Sequence, residues 1–285
     1  MPDFGIFRGF NDKLFGDKLY AGQLPTQLGL IGSVDFGFDT DAQAFFDRVT
    51  AAGGTLSATE KLAVDTLVKQ MKANSLWTPM KAIYPMVGAS AAACKQNLKS
   101  SSFTGTFTSG WTFASTGVTG NGTSAYMDTQ LSPNTTMNFN SQSYFIYKTT
   151  VQAATVSEFG VSSANDVSNG VQLFLNNGWN TINEFVFSGT FTSRTVAGAY
   201  ILNRNNSNDK KLFVNGSLFE TKTSSAANYT LQNIWLGCRN NAGSGQFFTN
   251  TETRFFSIGD GLTDTQASNF YTAVQAFQTT LLRQV

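Results

Sequence analysis

The chain has 285 residues, a net charge of +1 and only 13% charged residues, which is length enough for one large β domain or two smaller units. Lys and Arg are few and scattered, so nucleic acid is excluded as the main partner, because phosphate binding needs clustered cations. There is no histidine, which removes the usual general base, the usual zinc ligand and every Ser-His or Cys-His triad. No run reaches membrane-spanning length and the first residues hold no continuous apolar stretch, so neither membrane insertion nor a signal peptide is expected. Asn, Thr, Ser and Gly dominate the polar residues beside 26 Phe, the look of an extracellular or particle-surface β protein.

Residues 1–34 carry Phe7, Phe10, Leu14, Phe15, Leu19, Tyr20 and Leu24 without a clean period and with recurrent Gly. Such a segment is poorly suited to fold alone; it reads as an N-terminal arm buried against another chain, with packing on its own domain as the alternative. Thr40 with Gln43 then opens a helix bearing Ala42, Phe45, Phe46 and Val49, and Gly53-Gly54 ends it. Ser57 with Glu60 opens a second, bearing Val64, Leu67, Val68 and Met71. Asp35, Asp39 and Asp41 lack the Gly and Glu of a calcium loop and read as favourable charges at a helix start. From Trp77 to Leu98, Pro79 and Pro85 exclude a continuous helix, so residues 35–100 are expected to form a helical hairpin and an irregular connector.

Beyond residue 100 the pattern turns to short strands: 103–113, 143–151, 170–176, 184–189, 198–205, 211–221, 234–239 and 252–259. That many short strands, with turn chemistry between them, predict a sandwich or barrel over 101–285. Asn215-Gly216 marks the clearest hairpin, since Asn-Gly is the favoured type I′ pair. At the end, Phe255, Phe256 and Ile258 form a last strand, and Thr263 with Gln266 caps a final helix. Its stripe of Ala267, Phe270, Tyr271, Val274, Phe277 and Leu281 is expected to be buried on the chain's own sheet and helical hairpin, with a neighbouring subunit as the alternative.

The Lys211–Phe219 hairpin, Ile234-Trp235-Leu236-Gly237 and the closing FFSIGDGLTDTQASNFYTAVQAF resemble the last half of concanavalin A-like, laminin-G-like jelly rolls. Gly120 to Thr129, followed by SYFIYKTTV, resembles the early strands of the same family. The order of helical hairpin, LWTPMKAIYPMVG (76–88), KQNLK (95–99), GWTFASTGVTGNGTSAY (110–126) and terminal helix is similar to bacteriophage and prophage virion proteins carrying such a domain. KLYAGQLPTQLG (18–29) likewise looks like the N-terminal segments of phage structural proteins. Cys94 stands where that family more usually has a polar residue or His, so no ligand role is carried to it. The resemblance implies a mainly β fold: a jelly-roll sandwich preceded by a helical hairpin and an extended arm, and closed by a C-terminal helix. It implies a structural protein of the virion's head, vertex or tail, held to other capsid or tail proteins through the arm, and a homo-oligomer, a trimer by analogy.

The same fold hosts glycoside hydrolases, which need two positioned carboxylates. The five glutamates, Glu60, Glu158, Glu184, Glu220 and Glu252, show no such spacing, and no P-loop, dinucleotide fingerprint or nucleophile elbow occurs, so the chain is not expected to be an enzyme or to carry a cofactor or metal. An isolated Glu158 or Glu184 reads as an ordinary solvated carboxylate. Cys94 and Cys238 read as two buried free thiols, with one disulfide as the alternative. Host-glycan or receptor binding is the second functional class, because lectin-like sites set an aromatic face and neutral amides against a sugar. Asn176, Asn177, Trp179 and Asn180 form the best such cluster and Arg204-Asn205-Asn206 the next. The competing reading is that these asparagines make turns and Trp179 seals the sandwich end.

Overall fold

The computed structural model describes residues 37–150, 154–163, 166–175, 180–182, 196–223 and 231–285, with 166–169 and 180–182 described by their backbone alone. The arm residues Phe7, Phe10, Leu14, Phe15, Leu19, Tyr20 and Leu24 lie outside this set, as does the strand expected over 184–189. Phe38–Val285 clusters as a single unit.

Helices α1 (Thr40–Ala51) and α2 (Ala58–Ala73) form the expected pair. The first cap is Asp39 rather than Thr40: its carboxylate accepts the Asp41 N–H at 2.9 Å and is itself gripped by Lys72 Nζ at 2.6 Å. Lys72 also takes Asp41 at 2.6 Å, so the acidic run at this helix start is neutralised from within the pair. Ser57 and Glu60 make a reciprocal capping box on α2, and the Glu60 carboxylate reaches on to the Gly88 N–H.

The connector is less irregular than expected. Between Pro79 and Pro85 it forms β1 (Met80–Tyr84), which pairs antiparallel with the last strand of the chain, β16 (Thr253–Gly259). The prolines that forbid a helix thus delimit a strand, and residues 38–100 belong to the same unit as the sandwich. A single turn, α3 (Ala91–Cys94), follows.

The remaining elements are β2 (Thr106–Phe107), β3 (Thr112–Ala114), β4 (Gly117–Thr119), β5 (Met127–Asp128), α4 (Pro133–Thr136), β6 (Gln142–Lys148), β7 (Phe159–Ser163), β8 (Asp166–Leu173), β9 (Asn180–Ile182), β10 (Gly198–Arg204), β11 (Asp209–Val214), β12 (Ser217–Thr223), β13 (Trp235–Leu236), β14 (Arg239–Asn241), β15 (Ser244–Gln246) and α5 (Asp264–Thr280). One sheet runs β12-β11-β10-β6-β16-β4-β3 with β1 beside β16; the other runs β15-β14-β7-β13-β5-β2 with β8 and β9 joined at β7. Asn215 and Gly216 both take positive φ, 49° and 79°, as the type I′ turn between β11 and β12 requires.

Three layers result. Tyr144, Ile146, Tyr200, Leu202, Phe256 and Ile258 point from the first sheet into the sandwich, against Phe159, Val161, Val171, Leu173 and Leu236 of the second. Phe145, Tyr147, Ala199, Ile201 and Phe255 point the other way, into a second core built with the helices. A sheet covered on both faces reads as a continuous apolar run, which is why β6 and β10 show so little alternation in the sequence. α5 begins at the Thr263–Gln266 capping box and lays Phe270 against Phe145 (ring centroids 4.8 Å apart) and Phe277 against Phe255 (6.2 Å). Its stripe is therefore buried on the chain's own sheet and helices, as expected, with Tyr271 and Leu281 at the margin.

Past α5, Arg283 is almost wholly buried and donates to the Met86, Pro85 and Arg254 carbonyls and to Gln278 Oε1 at 2.7–3.1 Å. Burial lowers its pKa to about 10. Cys94 and Cys238 are both buried and free, and burial pushes each thiol up to about 12, well away from a reactive thiolate.

Candidate functional site

The helices cover the outer face of the first sheet; on the outer face of the second, Thr106 is exposed, Tyr126 and Asp128 are half-buried, and Trp235, Gln172 and Arg239 are buried. Strand alternation fixes what stands there. Phe159 and Val161 are core residues, so Gly160 faces outward; Val171 and Leu173 are core, so Gln172 does; Ile234 and Leu236 are core, so Trp235 does. Register then joins these positions into one cross-strand row, Thr106–Asp128–Trp235–Gly160–Gln172.

Gly237, at φ 94°, reverses the chain between β13 and β14, and Arg239 comes into register with Gly160 as well. Trp235, Gln172 and Arg239 thus surround a position with no side chain. A Cβ at Gly160 would lie 2.7 Å from Gln172 Cβ, so only glycine allows β7 and β8 to approach so closely. The Tyr126 ring stacks on the Trp235 indole with centroids 3.7 Å apart and planes 7° from parallel. Burial and the nearby Asp128 carboxylate raise the Tyr126 pKa, which keeps its hydroxyl neutral.

The polar atoms of this face are not all satisfied by the protein. Asp128 accepts from the Gln130 N–H at 2.8 Å and from Asn233 Nδ2 at 3.3 Å. Arg239 is directed to neutral groups: Nη1 lies 3.4 Å from Gln172 Oε1, Nη2 contacts Gln246 Oε1, and the guanidinium carbon sits 4.8 Å over the Phe247 ring. Arg239 Nε and Trp235 Nε1 are both buried donors with no hydrogen-bond partner. Each such donor costs about 1–3 kcal/mol if left unmet; Arg48 Nε and Trp111 Nε1 elsewhere in the fold are in the same position. The chemistry available is noncovalent: an aromatic wall, amide and guanidinium donors, one carboxylate and a side-chain-free floor.

Of the residues singled out in the sequence, Asn176, Asn177 and Trp179 lie outside the described residues. Asn180 is described by backbone only, opening β9 opposite Leu173 at the edge of this same sheet. In the second cluster, Asn205 Nδ2 donates to the Leu262 carbonyl, Asn206 Oδ1 accepts the Asn208 and Asp209 N–H groups, and Arg204 is fully buried, so these residues build a turn and a helix entry. Glu158 corrects its expectation. It is fully buried rather than solvated, 2.7 Å from the equally buried Lys148, which also donates to the Thr251 carbonyl and Thr253 Oγ1. Glu184 lies outside the described residues. Among the described residues no cluster of three or more His, Cys, Asp or Glu could hold a metal ion.

Trp235, Tyr126, Gln172 and Arg239 were not chosen from the sequence. The signal existed in Ile234-Trp235-Leu236, where alternation turns a large aromatic outward between two core residues. Its value depends on which sheet face α5 covers, and that is a tertiary fact.

No protein-family model matches the chain, and no curated protein does. Among solved structures, the fold is similar to domain 4 of AbnA, a GH43 extracellular arabinanase from Geobacillus stearothermophilus solved with arabinotriose. The TM-score is 0.51 at 16% identity, covering 67% of this chain and 98% of that one. The CBM40 of the Ruminococcus gnavus IT-sialidase, bound to α2,3-sialyllactose, gives a TM-score of 0.36 at 19% identity over 45% of this chain and 80% of that one. The binding domain of botulinum neurotoxin serotype D gives 0.46 at 12% identity over 70% and 52%. At these identities the likeness is one of fold: a mainly β, lectin-like jelly roll with a C-terminal helix.

Proposed function

We propose that this chain is a bacteriophage virion structural protein that displays its jelly roll on the particle as a host-glycan or receptor-binding module. The observation that carries the binding part is the asymmetry of the sandwich. One sheet face is sealed by helices, and the other bears a stacked Tyr126–Trp235 pair, neutral amides and two buried donors without partners. Aromatic surface with a few convergent polar groups is what a saccharide site requires. That the AbnA domain was solved with arabinotriose is in keeping with this reading.

The virion part is supported by the resemblance of the segment order to phage and prophage virion proteins. On this reading residues 1–34, with Phe7, Phe10, Leu14, Phe15, Leu19, Tyr20 and Leu24, anchor the chain to capsid or tail proteins through apolar burial. Many copies, as a homo-oligomer or on one particle, turn a weak contact into avid attachment. The module binds without turnover; Glu158, sealed between the sheets and paired with Lys148, is out of reach of a glycosidic bond.

A glycan array and whole-cell binding test the site. The wild type should bind a defined set of saccharides, and Trp235→Phe, which keeps a ring against Tyr126 but removes the indole N–H, should weaken them while keeping its melting temperature within a few degrees. An array and host cells without signal would remove the binding reading. Deleting residues 1–34 tests the anchor: a truncated chain that still joins purified particles at normal copy number would sink it.

A further inference from the structure

We infer that this protein pairs with a second copy of itself through a groove at the end of α5, the Leu282 of each chain entering the groove of the other. The inference goes beyond the proposed function and does not depend on what the second sheet binds.

The groove holds about 620 Å³ where three parts of the helical layer meet: the α1–α2 loop with the first turn of α2, the Gly88-Ala89 corner of the connector, and the end of α5. Leu56 and Leu281, both half-buried, give it apolar walls. The charged residue on those walls is Glu60, and its carboxylate is already engaged. Oε2 accepts the Ser57 N–H and hydroxyl at 2.8 and 2.9 Å, and Oε1 accepts the Gly88 N–H at 2.7 Å. The other wall residues are neutral, so two such surfaces meet without a like-charge clash.

Leu282 stands at the rim of the groove, and it is carried there at a cost. Its N–H donates to the Thr279 carbonyl and the Arg283 N–H to the Gln278 carbonyl, the Schellman ending of a helix. That ending puts the residue after the C-cap in the left-handed region, where glycine is the ordinary choice, and Leu282 takes φ 56° there. The same side chain is 89% exposed, the most of any large apolar residue among those described. A leucine both strained and left in water serves its own fold poorly at that position. Its placement is nonetheless firm. Arg283, next in the chain, is buried and hydrogen-bonded to Gln278, Met86 and Pro85, so the chain turns inward immediately after Leu282 and holds it out. Ala89, exposed on another wall, is left-handed as well, at φ 44°. Backbone outliers of this kind gather at contact sites.

The occupant follows from the arrangement. An apolar knob directly beside an apolar hole is self-complementary, because a twofold axis sets each knob against the other copy's hole. Leu62, 57% exposed, lies one turn along α2 from Thr59 of the groove and extends the apolar surface around it. A small ligand would fill the hole and leave Leu282 and Leu62 in water. Where the resemblance to virion proteins implies a trimer, this surface implies a pair.

The test is sedimentation equilibrium of the full chain. The wild type should pass from monomer to dimer as concentration rises, and Leu282→Glu should stay monomeric over the same range. Leu282→Gly should raise the dissociation constant about tenfold or more, since a twofold contact loses two buried leucines at once. At concentrations where both are monomeric, Leu282→Gly should melt no lower than the wild type, because φ 56° suits glycine. Register is read by mixing a tagged Leu282→Cys chain with a differently tagged Thr59→Cys chain, which should form a disulfide between the two on oxidation. A wild type that is monomeric throughout, a trimer or larger assembly, a dimer that survives Leu282→Glu, a mixture without the disulfide, or a Leu282→Gly monomer that melts well below the wild type would overturn the inference. Each of these leaves the saccharide reading standing, and a silent glycan array leaves this one standing.

Discussion

Lys148 and Glu158 face each other across the interior of the sandwich, one at the end of β6 in the first sheet, the other just ahead of β7 in the second. Burial pulls the Lys148 amine below the ordinary lysine range, against the opposing pull of the carboxylate. Glu158 Oε1 accepts no hydrogen bond, so the pair is only partly compensated. Removing one partner strands the other: Lys148→Met is expected to cost about 3–5 kcal/mol in denaturant unfolding. Lys148→Met with Glu158→Leu should recover most of that, and a double variant no better than the single would show that the pair is more than an exchangeable latch. Lys210 gives a second residue-scale prediction. Burial and the neighbouring Lys222 lower its pKa to about 7, against 10.5 for an ordinary lysine. Between those values the unfolded chain holds a proton that the folded chain lacks, so raising the pH favours folding, and the gain is lost as pH falls through about 7. Melting curves from pH 7 to 10 should rise more steeply for the wild type than for Lys210→Met, about in proportion to one proton.

The helices were legible because their ends are written locally. The Ser57–Glu60 and Thr263–Gln266 boxes form as their spacing predicts, and the apolar stripe of α5 is buried where a three-and-four repeat puts it. Thr263→Ala should cost about 1 kcal/mol. Phe270→Ala, which empties the space between Phe145 and Phe255, should cost about 3–5 kcal/mol and be read in the same unfolding experiment. β1 was not legible, because its five residues between two prolines give no reason to pair until β16, far along the chain, is in place. Short strands such as β7 and β14 escaped for the same reason. Phe159 to Ser163 carries Gly160 and two serines, a poor strand by propensity, held by partners on both sides. Gly160→Ala should push β7 from β8 and lower the melting temperature by several degrees, whereas Gly243→Ala, with nothing near its Cβ, tests the φ of 93° alone.

At the scale of the whole molecule, the jelly roll was readable from hairpin and closing-helix motifs, while the site was not. An asparagine-rich cluster is conspicuous in a sequence, but which sheet face the helices leave uncovered is a tertiary matter. Here that was decided by where α1, α2 and α5 lie: on the outer side of the first sheet. The first described residues belong to the same layer, with the Phe38 ring 5.0 Å from Phe46 on α1. Phe38 therefore lies on the helical side of its unit, and the row from Asp128 to Gln172 lies on the opposite sheet. Held at Phe38 and pulled from that row, the protein would carry load across its layers, through helix, first sheet and second sheet in turn. The joints in that line are the two apolar cores and the Lys148–Glu158 latch, not the hydrogen-bonded edges of the strands.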